Sequence, residues 1–198
     1  MKKIIACITG ASGSVYFLRL MSCLAQQEAE VHIIASEQGE KVFAYETGLD
    51  FKEQVKRWST GKATVLLEDN SNLFSSVASG SYRCDAMVIL PCSMSTAAEI
   101  ATGVTKTLLT RAADVMIKEQ RRLVLVPRET PLSAIHLKNL YELSKLGVTI
   151  LPAMPGFYNQ PKSIEDIIDF IAGKAMDCMG LENCLYQRWE GIHHEDQN

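Results

Sequence analysis

Arg128 and Glu129 stand side by side at the end of a strand-like run of leucine and valine, RRLVLVP at 121–127. A guanidinium can fork onto two oxygens of a phosphate, and a carboxylate beside it can exchange a proton. On these two residues alone a solvated turn is an equally good account. Comparable places carry hydroxyls instead of charge. Gly10-Ala11-Ser12-Gly13-Ser14 follows the apolar run IIACI at 4–8, Ser36 ends EVHIIAS at 30–36, and Ser93-Met94-Ser95-Thr96 follows DAMVILP at 85–91. Turns of this kind at the start of a helix present N–H and O–H donors to an anion. A single serine there is more often a helix cap. Three such turns after three separate strands point to a phosphate-bearing nucleotide or flavin.

The elements that would place these residues alternate along the chain. Short apolar runs bounded by turn residues read as strands buried on both faces: 4–8, 30–36, 85–91, 121–127 and 148–151, with ATVLL at 63–67 long enough for one more. Between them lie amphipathic stretches. Val15, Leu18, Leu20, Met21 and Leu24 mark a first helix, which Ser12 or Ser14 would cap, leaving its first N–H groups open to an anion. Further helices are predicted over 37–47, from the Thr96-Ala97-Ala98-Glu99 capping box, and over 107–120 with Asp114 and Lys118 spaced to pair. Thr130-Pro131 is read as the start of a helix that Gly147 stops, and Ser163-Ile164-Glu165-Asp166 opens the last one, to about residue 179. Residues 48–80 carry the weakest pattern, with a Ser/Asn-rich loop at 70–81. Strands alternating with helices imply a parallel sheet covered on both sides, with ligands beyond the carboxyl ends of the strands where strand order reverses.

Not every polar residue needs a role. Arg111 and Lys118 share a helix face, where exposure and pairing with Asp114 is the default, and Glu46 and Lys174 read as surface residues on helices. His32 lies within a strand, which favours a packed histidine. Glu37 follows the second strand where a dinucleotide fold keeps an acid for the ribose, but Gly10 and Gly13 do not complete GxGxxG.

With 198 residues, 47% of them hydrophobic, the chain suits one undivided globular domain, expected over 1–185 with a polar tail at 186–198. A net charge of −3 gives no basic field for nucleic acid. The six cysteines form no C-x-x-C pair or zinc spacing and read as free thiols of a reducing cytosol. The start of the chain is no signal peptide, and no run approaches the ~20 apolar residues of a membrane span. A cytoplasmic protein is expected.

Six strings, taken together and in order, resemble the UbiX-type flavin prenyltransferases: TGASGSVY (9–16), YETG (45–48), PCSMST (91–96), TRAADVMIKEQR (110–121), VPRETP (126–131) and PAMPGFYNQP (152–161). The likeness spans nearly the whole chain apart from about 50–78 and the tail. It implies a Rossmann-like (flavodoxin-like) doubly wound α/β fold and a homo-oligomer, usually a dodecamer, that acts without metal. The implied reaction joins the dimethylallyl group of dimethylallyl phosphate to N5 and C6 of reduced FMN, and the prenylated FMN passes to a UbiD-type decarboxylase, as in ubiquinone synthesis. By position, Gly10, Ala11, Ser12, Ser36, Ser93, Met94, Ser95, Thr96 and Arg128 would hold FMN. Ser12 and Glu46 would sit at the reacting edge. Arg111, Lys118, Arg128, Tyr158 and Lys174 would hold the prenyl phosphate, Lys118 from a neighbouring subunit, and Glu129 would exchange a proton with the departing phosphate. The chemistry agrees: the leaving phosphate's charge must be stabilised, and Glu68-Asp69 is a poor substitute for the aspartate-rich motifs of metal-dependent prenyl enzymes. Trp189 matches a tail tryptophan of the family.

Some positions depart from the family pattern. Leu73 and Phe74 stand near where a tryptophan often faces the prenyl pocket, Ser14 replaces a frequent alanine, and Lys174 replaces a frequent arginine, keeping the charge but lacking the bidentate fork. Two other readings use the same scaffold: a flavin-dependent cysteine decarboxylase, whose histidine base and Asn-containing motif have no counterpart in register, and a non-catalytic FMN-binding subunit.

Overall fold

In the computed structural model, which describes residues 1–189 and 191, the apolar runs pair as one six-stranded parallel sheet. The strands are β1 (Lys2–Ile8), β2 (Ala29–Ala35), β3 (Thr64–Glu68), β4 (Ala86–Cys92), β5 (Arg122–Pro127) and β6 (Thr149–Ile150), in the order β3-β2-β1-β4-β5-β6. Without the edge strand β3 the order is that of the flavodoxin-like folds, and with it that of the dinucleotide-binding folds. Strand order reverses between β1 and β4. There Thr9 ties the two strand ends together, its hydroxyl donating to the Pro91 carbonyl (2.8 Å) and accepting from Ser93 N–H (2.8 Å). β1 and β2 run in step from Lys2↔Ala29 to Ile8↔Ala35, so Thr9 and Ser36 leave the sheet side by side.

The helices are α1 (Ser14–Leu24), α2 (Glu37–Thr47), α3 (Phe51–Trp58), α4 (Met94–Ala101), α5 (Leu108–Lys118), α6 (Ala134–Lys145) and α7 (Ile164–Met179). Successive strand side chains point to opposite faces. Accordingly Ile4, Ala6 and Ile8 join one core with Phe17, Leu24, Phe43 and Met176, while Ile5 and Cys7 join the other with Leu109, Ala113 and Leu143. No described helix is long and apolar enough to cross a membrane. All six cysteines are free, and burial pushes the Cys92 thiol up to about 12. His32 is buried and spoken for, Nδ1 lying 2.7 Å from Glu68 and Nε2 3.0 Å from Glu30 and 2.9 Å from Tyr82.

Four details differ from the expectations. α3 lies in the stretch that showed no clear pattern. Its three apolar residues Phe51, Val55 and Trp58 fall on one face, Asp50 caps it by accepting from Glu53 N–H (2.9 Å), and Phe51 and Trp58 pack around Phe17 and Phe43. α4 begins at Met94 rather than Thr96, because the Ser93 hydroxyl takes the Thr96 N–H and closes the turn earlier. α6 begins at Ala134, not at Pro131, because Ser133 and His136 form the reciprocal capping box. Asp114 pairs with Arg111 at 2.8 Å, and Lys118 turns to Glu119 instead. The polar tail expected at 186–198 lies, from 190 onward and apart from Gly191, outside the described residues.

Candidate functional site

Two clefts open at the carboxyl ends of the strands, divided by the turn at Gly10–Ser12. The first, of about 320 Å³, is a meeting point of helix starts. Ser36, Ser93 and Thr107, the N-caps of α2, α4 and α5, all line it. Each cap hydroxyl accepts an N–H of its own helix, from Gly39 (3.0 Å), Thr96 (3.3 Å) and Thr110 (3.3 Å). The Ser93 hydroxyl also lies 3.0 Å from those of Ser95 and Thr96. Glu99 is the one charged residue among those lining the cleft. Aligned backbone dipoles make the start of each helix partly positive. Three such ends and a ring of neutral hydroxyls therefore suit a phosphate such as that of FMN without a cation. Gly10 belongs here for a steric reason: a Cβ on it would come within 2.7 Å of Gln38 Cβ.

Asn70, Thr107 and Thr110 line this cleft beside the predicted serines. Asn70 holds the start of α5 twice, its carbonyl accepting from Leu108 N–H (2.8 Å) and its side chain from Leu109 N–H (3.0 Å). Thr107 was visible as a helix start in the sequence. Asn70, in the Ser/Asn-rich loop, reaches the site only through the folding of β3 beside β2.

The second cleft, of about 410 Å³, gathers Ser12, Tyr16, Glu46, Arg128 and Ala153. It also corrects the reading of α1. Neither Ser12 nor Ser14 caps this helix; the N-cap is Gly13, with φ 118° and no side-chain bond. The anion at the helix start is the Glu46 carboxylate, which accepts from Gly13 N–H (3.0 Å) and Ser14 N–H (2.8 Å). With those donors engaged, the start of α1 is not open to a phosphate. Burial works to raise the Glu46 carboxyl, yet the Ser12 hydroxyl and the two backbone N–H groups outweigh it and hold the group below the usual carboxylate value. Glu46 is thus ionised at neutral pH. Tyr16 is shifted upward, chiefly by burial and then by the Glu46 charge. Arg128 reaches across from the end of β5 and donates Nε–H to the Ser12 carbonyl (3.1 Å), fixing the turn. Glu129 accepts from Thr130 N–H at 3.1 Å. The Ser14 hydroxyl is fully buried, with no hydrogen-bond partner among the described residues.

The remaining predicted residues are spread more widely. Ala11 and Met94 are buried beneath the clefts. Tyr158 lies in an aromatic group with Phe170 and Trp189, each ring centroid 5.9 Å away, and Lys174 Nζ sits 5.9 Å from the Tyr186 ring. Arg111, next to the cleft-lining Thr110, is held by the Ala78 carbonyl (3.1 Å) and Asp114, while Lys118, at the far end of α5 from the first cleft, is held by Glu119. Ten residues of helix separate Leu108 from Lys118, roughly 15 Å. One chain does not bring Arg111 or Lys118 to the lining of either cleft. Phe74 is fully exposed and Leu73 nearly half exposed.

Comparison with known proteins bears on this arrangement. The Flavoprotein family model matches residues 1–176. A flavin prenyltransferase UbiX of Halalkalibacterium halodurans is 48% identical over 186 residues, covering 92% of this chain and 90% of the relative. The crystal structure of AnUbiX (PadA1) in complex with FMN and dimethylallyl pyrophosphate superposes with a TM-score of 0.90 at 38% identity, over 97% of this chain and 99% of that one. A dodecameric FMN-dependent UbiX-like decarboxylase from Escherichia coli O157:H7 gives a TM-score of 0.88 at 37% identity, over 96% of this chain and 100% of that one.

Proposed function

Because the chain belongs to the flavin prenyltransferases of the Flavoprotein family, we propose that it joins the dimethylallyl group of dimethylallyl phosphate to N5 and C6 of reduced FMN, releasing phosphate and prenylated FMN. The observation that carries this is the pair of adjoining clefts, one a phosphate seat of three helix starts and neutral hydroxyls, the other holding Arg128 and an ionised Glu46.

Bound reduced FMN would supply the nucleophilic N5 and C6. Ser36, Ser93, Ser95 and Thr96 hold its phosphate, while Gly10 and Ala11 let the ligand approach the backbone. Ser12 and Glu46 lie at the reacting edge. Glu46, ionised and held by the Gly13 and Ser14 N–H groups, is in the state to accept a proton rather than give one. The leaving phosphate takes the electron pair of the broken C–O bond, so its growing charge needs fixed cations. Arg128 is in the cleft already, Tyr158 and Lys174 approach from the α7 side, and Glu129 exchanges a proton with the departing phosphate. Arg111 and Lys118 complete the set from a neighbouring subunit of a homo-dodecamer. The product serves a UbiD-type decarboxylase in the cytoplasm, with ubiquinone synthesis as one such route.

The test is turnover of reduced FMN and dimethylallyl phosphate by the wild-type protein and by Glu129→Gln. The variant is expected to bind FMN normally and to transfer the prenyl group about 10²–10⁴-fold more slowly, the range of a lost acid–base group. Full-rate transfer by Glu129→Gln removes that residue from the reaction.

A further inference from the structure

After α7 the chain turns back on itself and is fastened to that helix chiefly at one carboxylate. Gly180 stops the helix in the left-handed region (φ 71°), and Leu181 N–H bonds back to the Met176 carbonyl. Asp177 then receives most of the side-chain ties of the returning segment, beside an Asn183 amide bond to the Gly173 carbonyl (3.2 Å) and a Gln27 amide bond to the Glu182 carbonyl (3.1 Å). Arg188 donates to both carboxylate oxygens (2.7 and 3.1 Å), the Tyr186 hydroxyl to one (2.5 Å), and the Asn183 amide to the other (2.8 Å). Phe170, Gly173, Lys174 and Asp177 recur at helical spacing and so share a face of α7.

A second observation shows that this face is shaped for the segment. A Cβ on Gly173 would lie 2.6 Å from the Tyr186 ring and 2.9 Å from Asn183 Oδ1. Glycine inside a helix is unfavourable against alanine, and close approach of the returning chain accounts for it. The segment ends in aromatic contacts: Tyr186 lies 5.2 Å from Phe170, and Trp189 lies 5.9 Å from Tyr158, whose neighbour Phe157 is exposed.

We infer that Asp177 is a positioning residue for the prenyl donor: it pins residues 181–189 across α7, and so sets Trp189 against Tyr158 and Tyr186 beside Lys174 as one wall of the donor pocket. The inference rests on the prenyl-transfer reading for the identity of the donor. Asp177 touches neither cleft. Burial acts to raise its carboxyl, but Arg188 and then Tyr186 more than offset this, so the latch is ionised and closed at neutral pH.

Three FMN-loaded variants test it: Asp177→Ala, Gly173→Ala, which leaves every charge in place, and Arg188→Ala, the mildest, at an exposed side chain. Two tryptophans exist. Trp58 is 3% exposed and Trp189 61%, so iodide quenching reports Trp189. Quenching is expected to rise in all three, and the affinity for dimethylallyl phosphate, measured by calorimetry, to fall about tenfold in Asp177→Ala and Gly173→Ala, with FMN affinity within twofold of wild type. In turnover the loss appears in KM for the donor more than in kcat. Unchanged quenching in Asp177→Ala and Gly173→Ala means that the carboxylate does not hold the segment, and raised quenching with unchanged donor affinity means that the segment does not shape the pocket; either result overturns the inference. A wild-type protein that binds the donor yet makes no prenylated flavin refutes the prenyl-transfer reading, while the affinity comparison still decides the latch. Wild-type protein that binds no donor overturns both.

Discussion

Replacing Glu46 by glutamine removes a charge and keeps the shape, which isolates what the carboxylate does at the start of α1. In the folded protein it accepts from Gly13 and Ser14 N–H at 3.0 and 2.8 Å. Hydrogen bonds to a charged group contribute about 1.5–3 kcal/mol net against about 0.5–1.5 for neutral ones, and an anion at a helix start adds about 0.3–1 kcal/mol. Some of the first difference is lost because Glu46 is only partly buried, which leaves about 2 kcal/mol for the charge. In a chain near 200 residues that lowers Tm by about 4–8 °C. The pH dependence gives a second handle. The folded-state pKa lies below the ordinary carboxylate value, so this stabilisation is complete above the unfolded value of about 4.5 and disappears as pH falls through the folded one. Thermal unfolding of wild type and Glu46→Gln, at one protein concentration, should therefore differ by that amount at pH 7 and converge in acid, once the pH has fallen through the lowered folded-state value. Equal Tm values at pH 7 refute the capping role. A gap that persists unchanged in acid refutes the charge as its origin.

Glu30 makes a sharper acid prediction. The Tyr82 hydroxyl first, then His32 and Lys3, hold its carboxyl down to about 2, so it contributes up to about 3 kcal/mol that is lost between pH 4.5 and 2; acid titration of Glu30→Gln should show a shallower loss of stability over that window than wild type. At Gly10, alanine would press its Cβ on Gln38 Cβ at 2.7 Å. Gly10→Ala is expected to weaken FMN binding at least tenfold, and Gln38→Gly in the same chain to recover part of it; fluorescence titration of FMN reads both, and an unaffected Gly10→Ala contradicts the close packing of the turn.

What the sequence disclosed follows from how local each signal is. β1, β2, β4 and β5 are continuous apolar runs, and such strands declare themselves. α2 and α7 carry their own caps, Ser36 and Ser163, within four residues of the bonds they make. α3 was hidden because Lys, Glu, Gln and Arg separate Phe51, Val55 and Trp58, and its apolar face is evident only against Phe17 and Phe43. The starts of α4 and α6 were misplaced because each has two nearby hydroxyls able to cap, and the backbone path chooses between them. The site shows the same division. Ser36 and Ser93 were readable as hydroxyls in the turns at strand ends. The Glu46 cap on α1 was not, since it joins residues 32 and 33 apart in the chain, nor was the role of Asn70, which depends on where β3 sits.

The central claim is prenyl transfer to reduced FMN, and it is tested most directly by supplying the purified protein anaerobically with reduced FMN and dimethylallyl phosphate, without metal, and weighing the released flavin by mass spectrometry. A flavin heavier by one five-carbon prenyl unit is expected. FMN that is bound tightly and released unmodified would contradict it.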